Sequence, residues 1–122
     1  MVVLNLNTPQ PAPLENEHPA IWPLVQADVE RNSIGILVIA DMEDRHQMGI
    51  TKYGTPLQLH NGRDPLVDAY QELLDGCVYA KQYCLENPTS YAGRTLYADT
   101  LKLATAYRII IKHRAIDIRE AE

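Results

Sequence analysis

The sequence predicts an all-α protein in which about three long helices form a compact bundle behind a proline-rich N-terminal arm. Three observations support this fold class. Apolar residues recur at helical spacing through three long segments, and residues typical of helix starts and stops separate those segments. The length of 122 residues suits one domain, and a hydrophobic content of 46% with 22% charged residues is ordinary for a globular protein.

The prolines define an N-terminal arm. Residues 1–19 hold four of the eight prolines, Pro9, Pro11, Pro13 and Pro19, and show little periodicity. We therefore predict an extended arm over residues 1–19, whose order depends on packing against another part of the protein, and one helical domain over residues 20–122. The first helix is expected to start near Pro23, because proline fits the first helical turn.

One face of this first helix is apolar in its first half and acidic in its second. The residues on that face are Ile34, Leu37, Val38, Asp41, Asp44, Arg45 and Met48. Ile36 and Ile39 widen the apolar surface, which predicts burial on more than one side. Gly35 costs about 1 kcal/mol in a helix interior relative to alanine, so we expect another helix to approach closely there. Gly49 and Gly54 are expected to end the helix and turn the chain.

The second and third helices have recognisable ends. Asp64 is suited to cap the second helix and Pro65 to occupy its first turn, and Asn87-Pro88 ends it. The third helix runs from a cap at Thr89 or Ser90 toward Ile118. Its β-branched run over residues 109–111 could alone form a short strand, but the helical spacing on both sides favours a helix.

The apolar residues of the first and third helices point in several directions. A three-helix domain with such surfaces leaves more apolar area exposed than a small monomer usually does. We therefore expect a homodimer or a homotetramer in which a second copy covers at least one side.

Two acidic pairs with i, i+3 spacing are the main candidates for a functional site. Asp41 and Asp44 lie on the first helix, and Glu72 and Asp75 lie on the second, so each pair points from one face of its helix. Antiparallel packing of the two helices would bring the four carboxylates together, where they could bind hard cations such as Mg²⁺ or Mn²⁺. The alternative is that each pair is a solvated face or forms salt bridges with neighbours such as Arg45.

Cationic and aromatic residues near these pairs suit an anionic substrate. Some lie in the glycine-bounded connection between the first two helices, and others lie on the second and third helices. The candidates for the phosphates are Lys52 and Arg63, with Arg94 or Lys102 from the third helix behind them. Asp68 is a further carboxylate, and Tyr53, Tyr79 or Trp22 could stack on a base.

The sequence argues against several other classes of protein. A net charge of −5 without a basic stripe disfavours a nucleic-acid binder. No apolar run approaches the roughly 20 residues that span a membrane, and no signal peptide is expected because the start lacks basic residues. Cys77 and Cys84 lie two helical turns apart, too far for an easy disulfide, so we expect reduced packing cysteines in a cytoplasmic protein. There is no HExxH, GxSxG or P-loop motif.

The acidic segments Asp41-Met-Glu-Asp44 and Glu72-Leu-Leu-Asp75 resemble the two-part motif of the all-α nucleoside triphosphate pyrophosphatases. In this superfamily, which includes MazG-like and dimeric dUTPase-like enzymes, EExxE is followed by ExxD. Asp41 and Asp44 would match the second and last acids of the first part. Ala40 stands in the place of the first acid, and the first part has Asp where the family has Glu.

The resemblance covers roughly residues 30–85. With the intervening segments Lys52-Tyr-Gly and Asn61-Gly-Arg-Asp, this part looks like small phage-encoded MazG-like enzymes, including the purine-specific MazZ type. The resemblance implies two or three Mg²⁺ or Mn²⁺ ions held by the four carboxylates. It also implies a homodimer or homotetramer, and hydrolysis of a purine nucleoside triphosphate, dGTP first, to the monophosphate and pyrophosphate in the cytoplasm of the cell or of a phage host.

Two further interpretations concern the role of the acids. Within the enzyme interpretation, Asp44 or Glu72 would act as the general base for the attacking water. The competing interpretation is a non-enzymatic helical oligomeric module for interaction or regulation, in which the acidic face is only solvated.

Overall fold

The described part of the chain is helical. The computed structural model describes the backbone of residues 6–121 and the side chains of residues 6–114. Four helices follow in order: α1 (Trp22–Asp28), α2 (Ser33–Tyr53), α3 (Pro65–Glu86) and α4 (Tyr91–Ala121). The predicted all-α class is confirmed, whereas the count of about three helices is not, because the short α1 is separate from α2. None of the described helices contains a stretch long and apolar enough to cross a membrane.

The first predicted helix is divided into α1 and α2. Val29 and Asn32 adopt extended conformations, with ψ of 130° and −176°, and the Asn32 side chain accepts a 2.7 Å hydrogen bond from the N–H of Gly35. A Cβ atom at Gly35 would lie 1.7 Å from the carbonyl oxygen of Glu30. The close neighbour of this glycine is therefore the α1–α2 connection, and the prediction of another helix at this position was wrong.

The end of α2 and the start of α3 follow the predicted signals. Gly54 adopts the left-handed conformation (φ 73°) immediately after α2, as predicted. Gly49 lies inside the helix, so its prediction as a helix end was wrong. The Asp64 carboxylate accepts hydrogen bonds from the N–H groups of Leu66 and Val67. The predicted N-terminal cap of α3 is thus confirmed.

α4 is continuous through the β-branched run. The hydroxyl oxygen of Ser90 accepts a 3.0 Å hydrogen bond from the N–H of Gly93, so Ser90 is the one of the two candidate caps that is used. Residues 109–111 are helical, and Ile111 is fully buried (0% exposed). The helix was therefore the correct choice over the strand, because the helical segments on both sides outweigh the β propensity of three residues.

The chain forms two compact units. We call Gln10–Arg63 the α1–α2 unit, and Met1–Pro9 with Asp64–Glu122 the α3–α4 unit. In the α3–α4 unit the two helices pack side by side. Asp64 at the start of α3 pairs with Arg114 late in α4, and a Cβ atom built at Gly76 would lie 3.6 Å from the Thr100 side chain. The two helices therefore run antiparallel.

In the α1–α2 unit, Gln58 ties part of the predicted arm to the connection that follows α2. Its side chain is 8% exposed and donates to the carbonyls of Asn16 (2.7 Å) and His18 (2.9 Å). It also accepts from the N–H of Asn16 (3.2 Å) and the hydroxyl of Thr55 (3.2 Å). Order in residues 10–19 therefore comes from packing against another segment. Residues 1–5 of the predicted arm lie outside the described residues, and the division at residues 19 and 20 stays a prediction.

Candidate functional site

The first acidic pair lies on an exposed face of α2. Asp41 and Asp44 are one turn apart, and both side chains are exposed. Ile34 and Leu37 begin the same face and are 66% and 61% exposed. The burial predicted for this helix on more than one side is not found, since Gly35 is the only buried residue of α2. The acidic pair is presented at the surface of the α1–α2 unit.

The second acidic pair lies on an exposed stripe of α3. Glu72 and Asp75 are exposed, Asp68 is half-buried one turn earlier, and Tyr79 is 68% exposed one turn later. At 100° per residue, Glu72 and Asp75 lie about 140–160° around the helix from Cys77. Because Cys77 lines the surface groove between α3 and α4, the acidic stripe lies on the opposite side of α3 from that groove.

The four candidate carboxylates have no partner in the part of the chain that the structure describes. Neither Asp41 and Asp44 nor Glu72 and Asp75 form a hydrogen bond or an ion pair with another described residue. The salt bridge to Arg45 that was considered as an alternative is therefore not formed. The other alternative, a solvated acidic face, and a ligand-binding role both agree with four carboxylates that contact no other described side chain.

Glu43, which lies between the members of the first pair, is engaged by amides. Its carboxylate accepts hydrogen bonds from the side chains of Gln47 (2.9 Å) and Gln26 (3.0 Å). The hydrogen bond from Gln47, followed by that from Gln26, holds the pKa of Glu43 below its usual value. Glu43 thus links α1 to α2, and it is distinct from the neighbouring free acids.

Asp64 is also a structural acid. Besides capping α3, its carboxylate forms a two-point contact with the Arg114 guanidinium, at 2.6 and 3.2 Å. Partial burial disfavours the charged form of Asp64. Hydrogen bonds from Arg114 and from the N–H of Val67 outweigh that effect and hold the pKa below its usual value.

Lys52 remains available as a cationic group on α2. It lies in the last turn of the helix, is exposed, and has its ammonium 5.1 Å from the ring centre of Tyr53. Eleven residues separate it from Asp41, which places the two on the same face about three turns apart. Tyr53 is 51% exposed, whereas Trp22 at the start of α1 is half-buried.

The two candidate arginines have local contacts. Arg63 donates a 2.7 Å hydrogen bond to the carbonyl of Pro11, which helps to fix the arm. Arg94 donates a 3.0 Å hydrogen bond to the carbonyl of Pro88 and lies 6.0 Å from the ring centre of Tyr91. Any role of either guanidinium in phosphate binding would be additional to these structural contacts.

The acidic pairs belong to different units of the chain. Asp41 and Asp44 lie in the α1–α2 unit, and Glu72 and Asp75 lie in the α3–α4 unit. Among the described residues, no group of three or more His, Cys, Asp or Glu side chains is placed to hold a metal ion. Each pair alone offers two hard oxygen ligands, which suit Mg²⁺ or Mn²⁺. Convergence of the pairs into one centre stays a prediction.

Comparison of the chain with family models, with curated proteins and with solved structures finds no match. The resemblance to the all-α pyrophosphatases therefore rests on the acidic motif and its intervening segments alone.

Sequence reasoning missed a surface groove between α3 and α4. One part of it has a volume of about 470 Å³ and a second part, nearer the α3–α4 turn, about 540 Å³. Cys77 lines both parts, and it is a free thiol. The sequence signal was the apolar spacing of Leu74, Cys77 and Val78, but only the placement of α4 shows that Leu74 and Val78 remain exposed beside it. The lining of the 470 Å³ part is Tyr70, Leu74, Cys77, Leu101, Ala104, Thr105, Arg108, Ile109 and Lys112.

Proposed function

We propose that this protein is a metal-dependent nucleoside triphosphate pyrophosphohydrolase. Its substrate is a purine (deoxy)nucleoside triphosphate, dGTP first, and its products are the monophosphate and pyrophosphate. The observation that supports the proposal is a set of four exposed carboxylates that have no partner among the described residues and are arranged as two i, i+3 pairs on two helices. Since like charges so spaced repel one another, their clustering is easier to understand if a cation is their partner.

The chemistry of a phosphoanhydride matches these side chains. Hydrolysis needs charge neutralisation on the phosphate oxygens and a water that is nucleophilic near neutral pH. When bound, two or three Mg²⁺ or Mn²⁺ ions supply both. In this proposal Asp41, Asp44, Glu72 and Asp75 hold the ions, and Asp44 or Glu72 accepts the proton of the attacking water. Water adds to the α-phosphorus, the α–β anhydride bond breaks, and pyrophosphate leaves.

Substrate binding is assigned to groups with exposed side chains. Lys52 is exposed on the same face of α2 as Asp41, so it is the first candidate for the triphosphate, ahead of Arg63 and Arg94. Tyr53 and Tyr79 are exposed enough to stack on a base. We further propose a homodimer or homotetramer that acts in the cytoplasm, that of the host if the gene is phage-borne.

The test combines metal titration with a substrate panel. The eight common nucleoside triphosphates are incubated with Mg²⁺ or Mn²⁺, and pyrophosphate and orthophosphate are measured separately. We expect pyrophosphate in one step, fastest from dGTP. Sequential release of orthophosphate would contradict the reaction, and a pyrimidine preference would contradict the base assignment alone.

Two variants test the carboxylates against a matched control. Glu72→Gln and Asp75→Asn should retain helical content by circular dichroism and lose hydrolysis by orders of magnitude. Glu43→Gln removes the same charge from α2 at a carboxylate already engaged by amides, so it should retain turnover. Full activity in both α3 variants would refute the site.

The second candidate function is a non-enzymatic module for helical interaction or regulation. The exposed apolar residues favour it: Val78 is 65%, Leu85 69% and Leu96 62% exposed, which is typical of surfaces that bind another protein. Calorimetric titration with Mn²⁺ separates the two functions. Mn²⁺ binding that is weakened in both Asp41→Asn and Asp75→Asn supports the enzyme. A native chain that shows no Mn²⁺ binding and no turnover supports the module.

A further inference from the structure

One side of α4 carries a seam of exposed residues in the heptad pattern. From Ala92 onward, exposed residues recur with alternating spacings of four and three: Ala92, Leu96, Asp99, Leu103, Ala106 and Ile110. We call these six residues the α4 seam. Its three large side chains, Leu96, Leu103 and Ile110, are 62%, 48% and 54% exposed. Such a/d spacing is the pattern by which one helix packs along another.

The α4 seam is separate from the side of α4 that packs in its own unit. Ala104 and Ile111, which are 5% and 0% exposed, lie roughly 80–100° around the helix axis from Leu103. The seam is about 27 Å long from Ala92 to Ile110. It is therefore a second packing surface of a helix whose first packing surface is already used.

The residue sizes along the seam are complementary to those of a second copy of the seam that runs antiparallel to it. The large residues Leu96, Leu103 and Ile110 occupy one heptad position, and the small residues Ala92, Asp99 and Ala106 occupy the other. When two α4 helices pack antiparallel about a two-fold axis level with Leu101, Leu96 lies opposite Ala106 of the second copy. Leu103 then lies opposite Asp99, and Ile110 opposite Ala92. Each layer pairs a larger with a smaller side chain, the alternation that lets facing helices interdigitate.

The charges of the seam also select the antiparallel direction. In that register, the positions of Asp99 and of Lys102 in the second copy differ by about 1.5 Å along the helix axis. The two-fold symmetry produces this pair twice. Parallel packing would instead place Asp99 against Asp99 between two helices, where like charges are costly. The seam is thus complementary to itself in size, and together with the adjacent Lys102 it is complementary in charge.

We propose that the α4 seam binds a second copy of this chain, antiparallel, and forms a two-fold homodimer. The dimer gives a defined surface to the assembly in the proposed function, and it does not rest on the hydrolase activity. Its tests measure mass and orientation, so they separate failure of the dimer from failure of the enzyme.

The first test is light scattering of the full chain at micromolar concentration. We expect twice the 13.8 kDa chain mass. Leu103→Glu places a carboxylate in the central layer and should weaken association at least about 100-fold, since an unpaired charge in an interface costs about 3 kcal/mol. Leu101→Glu is the control, because Leu101 is 41% exposed and lies about 160° around the helix from Leu103. It should leave the dimer intact, with the helical content of both variants checked by circular dichroism.

The second test addresses direction and charge. Asp99→Lys should weaken the dimer, and Asp99→Lys combined with Lys102→Asp should restore it. On mild oxidation, a mixture of Leu96→Cys and Ala106→Cys chains should form a heterodisulfide faster than either variant alone forms a disulfide dimer. The unsubstituted chain measures the background reaction of the native thiols. A monomeric native chain, a Leu103→Glu variant that stays dimeric, or preferential linking of Leu96→Cys to itself would each overturn the proposal.

Discussion

Replacement of Gly35 by alanine is expected to destabilise the α1–α2 unit. A Cβ atom built at this position lies 1.7 Å from the carbonyl oxygen of Glu30 and 3.3 Å from the side-chain oxygen of Asn32. Real Cβ atoms essentially never approach within 3.0 Å of such an atom, so the separation must grow by at least the difference between 3.0 and 1.7 Å, which is 1.3 Å. Backbone has to move, because a carbonyl oxygen cannot rotate away as the end of a side chain can.

Three contributions set the size of the effect. Overpacking of this kind costs about 1–3 kcal/mol. Movement of the connection also strains the 2.7 Å hydrogen bond from the N–H of Gly35 to Asn32, and loss of such a cap costs about 1 kcal/mol. The higher helix propensity of alanine returns up to about 1 kcal/mol. The net loss in free energy of unfolding is therefore about 1–3 kcal/mol.

The assay is urea unfolding followed by tryptophan fluorescence. Trp22 is the only tryptophan of the chain and the first residue of α1, so its emission reports this unit. Gly49→Ala is the control, since Gly49 also lies inside α2 but has nothing within 4 Å of the added Cβ. It should gain up to about 1 kcal/mol. A Gly35→Ala protein as stable as the native one would refute the account of this helix start.

Asp64→Ser should keep a cap on α3 but lose the contact with Arg114, which costs at most about 1 kcal/mol at pH 7 for a partly exposed pair. Because the pKa of Asp64 is lowered in the folded protein, its charge stabilises the fold above the usual value of 3.8, and this stability is lost as the pH falls through the folded pKa. Urea unfolding between pH 7 and pH 3 should therefore depend less on pH in the variant. Gln58→Ala should cost about 1–3 kcal/mol in the same assay, since it leaves buried polar groups without partners. Chelation with EDTA should abolish hydrolysis and reverse any rise of the Tm caused by Mn²⁺, with no effect on a Glu72→Gln/Asp75→Asn double variant.

For the candidate site, the sequence predicted which acidic residues share a helix face, but not how the two faces are arranged. The i, i+3 spacing placed Asp41 with Asp44 and Glu72 with Asp75, because helical geometry is a local property. Only the structure showed that these four acids have no partner in the described part of the chain, and that the nearby Glu43 accepts hydrogen bonds from two amides. Convergence of the pairs depends on contacts between segments distant in the chain, and it stays a prediction.

The sequence by itself determined the all-α class and the ends of α3. Asp64 and Pro65 start that helix through hydrogen bonds to residues two and three positions away, and interactions over so short a distance are encoded in neighbouring residues. The break of the first predicted helix before Asn32 is also local, because the Asn32 side chain caps α2 at Gly35, three positions away. The tertiary structure alone decided that Gln58 holds an arm some forty positions earlier, and that the seam of α4 remains exposed. These outcomes depend on which distant segments fill the space around each helix, and an amphipathic pattern specifies an apolar face without specifying what will cover it.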